Sequence, residues 1–331
     1  MTDSQHTTAD RAMGIVGLGR MGGGLALQAR DRGIRVVGLT RGHVDDELVV
    51  RGVCVASSTR ELVQQLAPPR AVFVYIPAGA GVDAVLEELA SVLEPYDVVV
   101  DGGNSYWGDS IRRAELLARS GLGFVDLGTS GGILGARHGA CFMAGGDAQS
   151  IAVIQPIVEA LAVPGGFVHA GPPGAGHFTK LVHNGIEFGM LQAIGEGMAL
   201  LECHDQRLPV AEILQCWRNG SVIRSWLIDL LHEQYQAMHG LDEVPSHVDD
   251  TGEVNWLVSD ALQMEVPIPV IAQAVMQLLQ SRDTRSCAAR AIALMRHGFG
   301  GHPFGHAAAI VEERRSGRVG DLVREPHVDE M

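Results

Sequence analysis

Lys180, His183, Asn184 and Glu187 fall within "KLVHNGIEFG", residues 180–189, inside a segment that otherwise reads as an apolar helix. Their offsets from Lys180 are three, four and seven, so on a helix all four project from one face. An amine, an imidazole, a carboxamide and a carboxylate on one face can take up, hold and return protons if that face lines a cleft. The alternative is a polar face turned to water. A second candidate is "GLGRMG", residues 17–22, directly after the β-rich run "MGIV" and at the start of a helix rich in Ala and Leu. Gly17, Gly19 and Gly22, with Leu18, Arg20 and Met21 between them, allow a tight turn and close approach of backbone to a pyrophosphate at a helix N-terminus. The competing reading is a glycine-rich turn with no ligand.

The end of the next β-rich run bears on the choice of dinucleotide. An NAD site usually offers an acid about 20 residues past the glycines, to hold the ribose diol. This sequence has Thr40 and Arg41 in "VVGLTRG" and no carboxylate until Asp45. An arginine pairs with a 2′-phosphate by charge-assisted hydrogen bonds, so NADP is expected ahead of NAD, unless Arg41 is only a solvated loop residue. Ile76, at the end of "AVFVYI", is placed with the cofactor positions. Two further motifs, "DGGNSYWGDS" (101–110) and "GTSGGILGARHGACFMAGG" (128–146), each follow an apolar run and so fall at the carboxyl ends of strands, where ligands bind in an open α/β sheet. Asn104 can donate and accept toward a hydroxylated substrate and also flank the cofactor. Ser130, Gly131 and Gly132 present a hydroxyl and bare amides suited to a carboxylate.

These residues require a particular scaffold. From residue 12 to about residue 170, β-rich runs ("MGIVG", "IRVVGL", "AVFVYI", "DVVVDGG", "GFVDLG", "ACFMAGG") alternate with helical patterns, the signature of an α/β Rossmann-type doubly wound sheet. From Gly174 the pattern is helical: a long segment to about His204, then "PVAEILQCWRNG", "SWLIDLLHEQY", "VNWLVSDALQ" and "PVIAQAVMQLLQS", with Pro209 and Pro267 where helices can begin. The expected organisation is a flexible N-terminus (1–11), a dinucleotide-binding Rossmann domain (12–173), an all-α domain (174–306) and a charged C-terminal tail (307–331).

Composition narrows the partners. The chain has 331 residues, 46% hydrophobic content and a formal charge of -14, with 25 basic against 39 acidic residues. That suits a large core and argues against a nucleic-acid partner, which requires clustered cations. Cys54, Cys141, Cys203, Cys216 and Cys287 are scattered without metal-like spacing, so no metal site is expected and a reducing cytoplasm fits better than a disulfide framework. The opening "MTDSQHTTAD" has neither a charged n-region nor an apolar core, and no segment nears the roughly 20 apolar residues of a membrane helix, so no membrane partner is expected.

"GLGRMG", "DGGNS", "SGGILGARHG" and "KLVHNGIEFG", in that order and spacing, resemble the 6-phosphogluconate dehydrogenase family, and "DTGEVNW" (250–256) and "MRHGFGGH" (295–302) resemble its shorter, bacterial-type branch. The glycine motif and a Lys and Asn four apart are shared with the wider 3-hydroxy-acid dehydrogenase group. His183 and Glu187 are the diagnostic members. The resemblance implies NAD(P)-dependent oxidative decarboxylation of a 3-hydroxy aldonate. Lys180 matches the base, which must begin neutral, as burial favours. Glu187 matches the acid that returns a proton to carbon. His183 and Asn184 match residues that hold substrate hydroxyls, and Asn104, Ser130 and Gly132 match its other contacts. Arg296 and His302 match residues supplied across a homodimer interface, which makes a dimer or higher homo-oligomer the implied active unit.

The resemblance breaks at the substrate's far end. Where the family holds a terminal phosphate with hydroxyls and cations, this sequence has Phe188, Asn255, Leu257 and Leu278, and only Arg296 remains, with Arg282 and Arg285 as further candidates. Losing charged hydrogen bonds of about 1.5–3 kcal/mol each would leave a dianion badly held. The resemblance thus implies as substrate 6-phosphogluconate or an analogue lacking the terminal phosphate, and the altered positions favour a far end that differs from 6-phosphogluconate. Two other functions compete: a non-decarboxylating 3-hydroxy-acid dehydrogenase or imine reductase, and a non-catalytic dinucleotide-binding regulator.

Overall fold

The computed structural model describes residues 11–204 and 206–306; the expected flexible N-terminus, apart from Arg11, and the charged tail lie outside the described residues. The chain alternates β1 (Ala12–Val16), α1 (Arg20–Asp31), β2 (Arg35–Leu39), α2 (Asp46–Val50), β3 (Cys54–Val55), α3 (Thr59–Gln64), β4 (Ala71–Val74), α4 (Ala80–Ala90), β5 (Val98–Asp101), α5 (Trp107–Ala118), β6 (Gly123–Ser130), α6 (Gly132–His138), β7 (Ala140–Gly146), α7 (Ala148–Leu161) and β8 (Ala162–Gly171). The remaining elements are all helical: α8 (Ala175–Glu202), α9 (Val210–Trp217), α10 (Trp226–Ala237), α11 (Glu253–Gln263), α12 (Pro269–Ser281) and α13 (Cys287–Gly300).

The strands form one eight-stranded sheet in the order β3-β2-β1-β4-β5-β6-β7-β8. Every pairing is parallel except β6 with β7. Strand order reverses between β1 and β4, which opens a crevice at the carboxyl ends of these two strands. β1, β4 and β5 are almost wholly buried because helices cover both faces, which explains their unbroken apolar runs. One face packs Met13, Ile15, Phe73, Val98 and Val100 against α1 and α7; the other packs Val72, Val74 and Val99 against α3, α4 and α5. The architecture read from the sequence, an α/β doubly wound sheet followed by helices, is the architecture observed.

Two strands were not legible. β3 has only two residues, and β8 is a mostly exposed edge strand carrying Pro164, Gly165 and Gly166. α13 is not legible as a helix, and α12, Pro269–Ser281, coincides with the run "PVIAQAVMQLLQS".

The described chain divides into two compact units, one comprising the residues up to Ile186 together with Gly252–Val266, the other Glu187–Thr251 and the residues from Pro267 onward. This division keeps the first turns of α8 with the sheet, and packing supplies the reason. The first turns of α8 lie directly on sheet backbone: a Cβ on Gly176 would come within 2.4 Å of the Asp126 carbonyl oxygen and 2.5 Å of that of Met143. α8 thus begins as part of the sheet's own unit. Among the described residues no helix is long and apolar enough to cross a membrane, and no cluster of His, Cys, Asp and Glu could hold a metal ion.

Candidate active site

The turn from β1 into α1 is shaped for close contact. Gly17 has φ +96°, and a Cβ there would sit 2.3 Å from the carbonyl oxygen of Tyr75; a Cβ on Gly22 would meet the Gly17 oxygen at 1.9 Å. Neither glycine can carry a side chain without moving backbone. Gly19, by contrast, faces open space and precedes an α1 N-terminus with no side-chain cap, which leaves its amides available. The residues present therefore fit a dinucleotide's pyrophosphate at this turn. Leu18 is buried beneath Gly38, while Arg20 is exposed and Met21 packs partly against the core.

Tyr75 is the platform for this region and was not anticipated. Its ring lies so close under Gly102 that a Cβ would come within 2.3 Å of it, and its hydroxyl is 3.0 Å from the Thr129 hydroxyl. Burial raises the phenol's pKa and keeps it protonated. Ile76 follows and touches both glycine turns, since its side chain would meet a Cβ on Gly17 and its carbonyl oxygen one on Gly103. Thr40 and Arg41 leave the end of β2. Thr40 Oγ accepts from the Gly42 amide at 3.3 Å, and Arg41 pairs with Glu88 of α4 at 3.2 Å in an exposed ion pair.

Asn104 sits in the turn after β5, and a buried network fixes that turn. Asp101 accepts from the Ser105 hydroxyl at 2.7 Å, the Gly103 amide at 3.2 Å and the guanidinium of Arg113 at 3.1 Å. Arg113, fully buried, also donates to Asp83 at 2.8 Å and to the Gly79 carbonyl at 3.3 Å, tying the loops after β4 and β5 together. A cation at this depth requires such partners.

The polar face of α8 starts from the same sheet. Asp126 of β6 accepts from the Gly174 and His177 amides, each at 2.7 Å, and so caps the helix. Burial raises the Asp126 pKa, against the opposing pull of His177 and these amides. The stem of Lys180 crosses Gly128, where a Cβ would lie 2.5 Å from the Lys180 Cβ, and Lys180 is only 8% exposed. Its Nζ is 3.4 Å from His183 Nδ1, which is 3.2 Å from Asn184 Oδ1; His183 Nε2 is 3.0 Å from the Ser130 hydroxyl. Lys180, His183, Asn184 and Ser130 therefore form one constellation, an amine and an imidazole with an amide and a hydroxyl. Gly131 and Gly132 turn the chain after Ser130, both at positive φ, into α6. Glu187 continues the same helix seven residues after Lys180, where the helical repeat returns it to Lys180's face.

Residues 12–171 match the family model described as the NAD binding domain of 6-phosphogluconate dehydrogenase, and residues 176–312 match that of the 6-phosphogluconate dehydrogenase C-terminal domain. The chain belongs to the 6-phosphogluconate dehydrogenase family. Within this family it is 38% identical over 291 residues to a putative 6-phosphogluconate dehydrogenase of Bacillus subtilis, covering 88% of this chain and 98% of that protein. It is also 38% identical over 296 residues to an NAD(+)-dependent, decarboxylating 6-phosphogluconate dehydrogenase of Haloferax volcanii, covering 88% of this chain and 97% of that one. Among solved structures, a Plasmodium falciparum 6-phosphogluconate dehydrogenase superposes with a TM-score of 0.76 at 25% identity, covering 90% of this chain and 66% of that one. A Salmonella typhimurium 3-hydroxyisobutyrate dehydrogenase, at TM-score 0.69 and 21% identity over 83% of this chain and 95% of that one, shares the fold.

Arg296 is exposed on α13 and His302 follows it, its carbonyl 2.8 Å from His297 Nδ1; both belong to the second compact unit. Leu257 is buried, and Phe188 and Leu278 are half-buried. Arg282 is held by Asp250 at 2.7 Å and by the Val248 carbonyl. Arg285 donates its amide to Asp283, 3.0 Å away.

Proposed function

We propose that the chain catalyses the NAD(P)-dependent oxidative decarboxylation of a 3-hydroxy aldonate. The observation that carries this is the buried amine of Lys180, set in one polar constellation with His183, Asn184 and Ser130, on the helix that brings Glu187 to the same face. Lys180 in its neutral form takes the proton of the substrate's 3-hydroxyl. A nicotinamide dinucleotide held at the Gly17–Gly22 turn would supply the acceptor for the hydride on the same carbon. The lysine, now protonated, donates to the resulting ketone oxygen, which draws in the electrons of the breaking C–C bond as carbon dioxide leaves. Glu187 then gives a proton to the former C2 carbon while Lys180, neutral again, takes back the proton on the enediol oxygen, leaving a ketone. His183, Asn184 and Asn104 hold substrate hydroxyls, and Ser130 with Gly131 and Gly132 meets the carboxylate.

For the cofactor, Thr40 and Arg41 at the end of β2 support NADP ahead of NAD, with Arg41 leaving Glu88 for a 2′-phosphate. The Haloferax relative is named NAD(+)-dependent and a Bacillus subtilis one NADP(+)-dependent. At the far end, Leu257 offers no donor where the family's phosphate contacts would fall, which supports an aldonate without a terminal phosphate. Steady-state comparison of 6-phosphogluconate with unphosphorylated aldonates, using both cofactors, tests this: the unphosphorylated acids are expected to give the higher kcat/KM. A preference for 6-phosphogluconate by orders of magnitude overturns the reading of that end.

The active unit is read as a homodimer. α13 has no buried residue and exposes Ile292, Leu294, Met295 and Phe299, apolar surface that a two-fold copy would cover, with Arg296 and His302 completing the partner's site. Specific activity should fall on dilution as a sedimenting dimer dissociates. The five free, unclustered cysteines support a cytoplasmic location.

A further inference from the structure

Asp260 of α11 is 4% exposed, yet it is a carboxylate among aromatic rings. Its two oxygens accept from two neighbouring side chains of another element: Tyr106 Oη donates to one at 3.0 Å and Trp107 Nε1 to the other at 2.7 Å. Trp256, one turn earlier on α11, meets the Tyr106 ring edge-on at 5.7 Å. Trp107 in turn packs edge-on against Phe178 at 5.8 Å, two residues before Lys180 on α8. A leucine at position 260 would fill comparable space without desolvating a charge. What a carboxylate adds is direction: two fixed acceptors that hold two rings in one orientation. Burial and then the Asp260 hydrogen bond raise the Tyr106 pKa, so the phenol stays a donor.

The consequence follows from where the two rings stand. Asn104 lies in a turn with Ser105 tied to Asp101 and, immediately beyond, Tyr106 and Trp107 tied to Asp260. The same tryptophan braces the start of the helix that carries Lys180. We propose that Asp260 is a positioning residue for the dehydrogenation, setting the Asn104 turn and the Lys180 helix relative to each other through the Tyr106–Trp107 pair. This rests on the assignment of Lys180 and Asn104 given above.

The test uses the full chain with Asp260→Asn, which keeps the shape but can accept only one of the two hydrogen bonds. The expected result is a fall in kcat/KM for the hydroxy acid of roughly 10-fold, within the range for small misplacements remote from the chemistry. Dinucleotide affinity should change far less than kcat/KM, and tryptophan emission should shift as Trp107 loses its acceptor. In an Asn104→Ala background the same substitution should cost distinctly less, because part of its effect passes through Asn104. Trp107→Phe, which keeps a ring against Phe178 but lacks the N–H, should reproduce the loss in part even if Asp260→Asn folds poorly. Wild-type kcat/KM in Asp260→Asn, or equal costs with and without Asn104, overturns the positioning role. Ordinary turnover in Asn104→Ala and Lys180→Met would instead overturn the catalytic assignment beneath it.

Discussion

Lys180→Met is expected to lose turnover of the hydroxy acid by about 10²–10⁴-fold or more, the usual contribution of a positioned proton-transfer group, while dinucleotide binding is retained. Methionine is the informative replacement because it is nearly as long and apolar. Lys180 is buried with its stem against Gly128, so a methionine preserves that packing and removes only the amine. Its neighbours remain in place, since His183 is held independently by Ser130 and Asn184. Thermal stability should change little, and cofactor titration should match the wild type because the β1–α1 turn is untouched. A variant that turns over normally would remove the base from the scheme. One that neither folds nor binds dinucleotide would show that the amine is needed for packing.

The second large effect is expected from Glu187→Gln, again about 10²–10⁴-fold in steady-state turnover. Its signature differs from that of the lysine variant, because Glu187 is needed only after hydride transfer. The first turnover should still reduce the nicotinamide in a burst, followed by a slow phase in which the enediol awaits a proton. Solvent deuterium at the former C2 carbon should lose its stereochemical preference, since water then supplies the proton from either side. Unchanged steady-state turnover, with stereospecific labelling intact, would require another acid.

The reach of the sequence can be judged from these residues. The offsets three, four and seven placed Lys180, His183, Asn184 and Glu187 on one helix face, because period alone decides that. The strands β1, β4, β5 and β6 were visible because helices bury both faces of the sheet and the chain there must be continuously apolar. β8 was not, because an exposed edge strand interrupted by Pro164, Gly165 and Gly166 carries neither a run nor an alternation. Partnerships across long separations were equally hidden. Nothing in the order of residues says that Ser130 meets His183, or that Trp107 finds Asp260 from 153 positions away. Gly128 is an instructive case, since its purpose is to have no side chain where Lys180 crosses the strand, and absence of an atom leaves no pattern to read. Tyr75 likewise looked like one more residue in an apolar run, although two glycine turns rest on it.

The most direct test of the account counts carbon dioxide and reduced nicotinamide in one reaction of the full chain with an aldonate. Equal amounts, both vanishing together in Lys180→Met, are the predicted result. Nicotinamide reduced with no carbon dioxide released would contradict it, and would make the chain a simple hydroxy-acid dehydrogenase on the same fold.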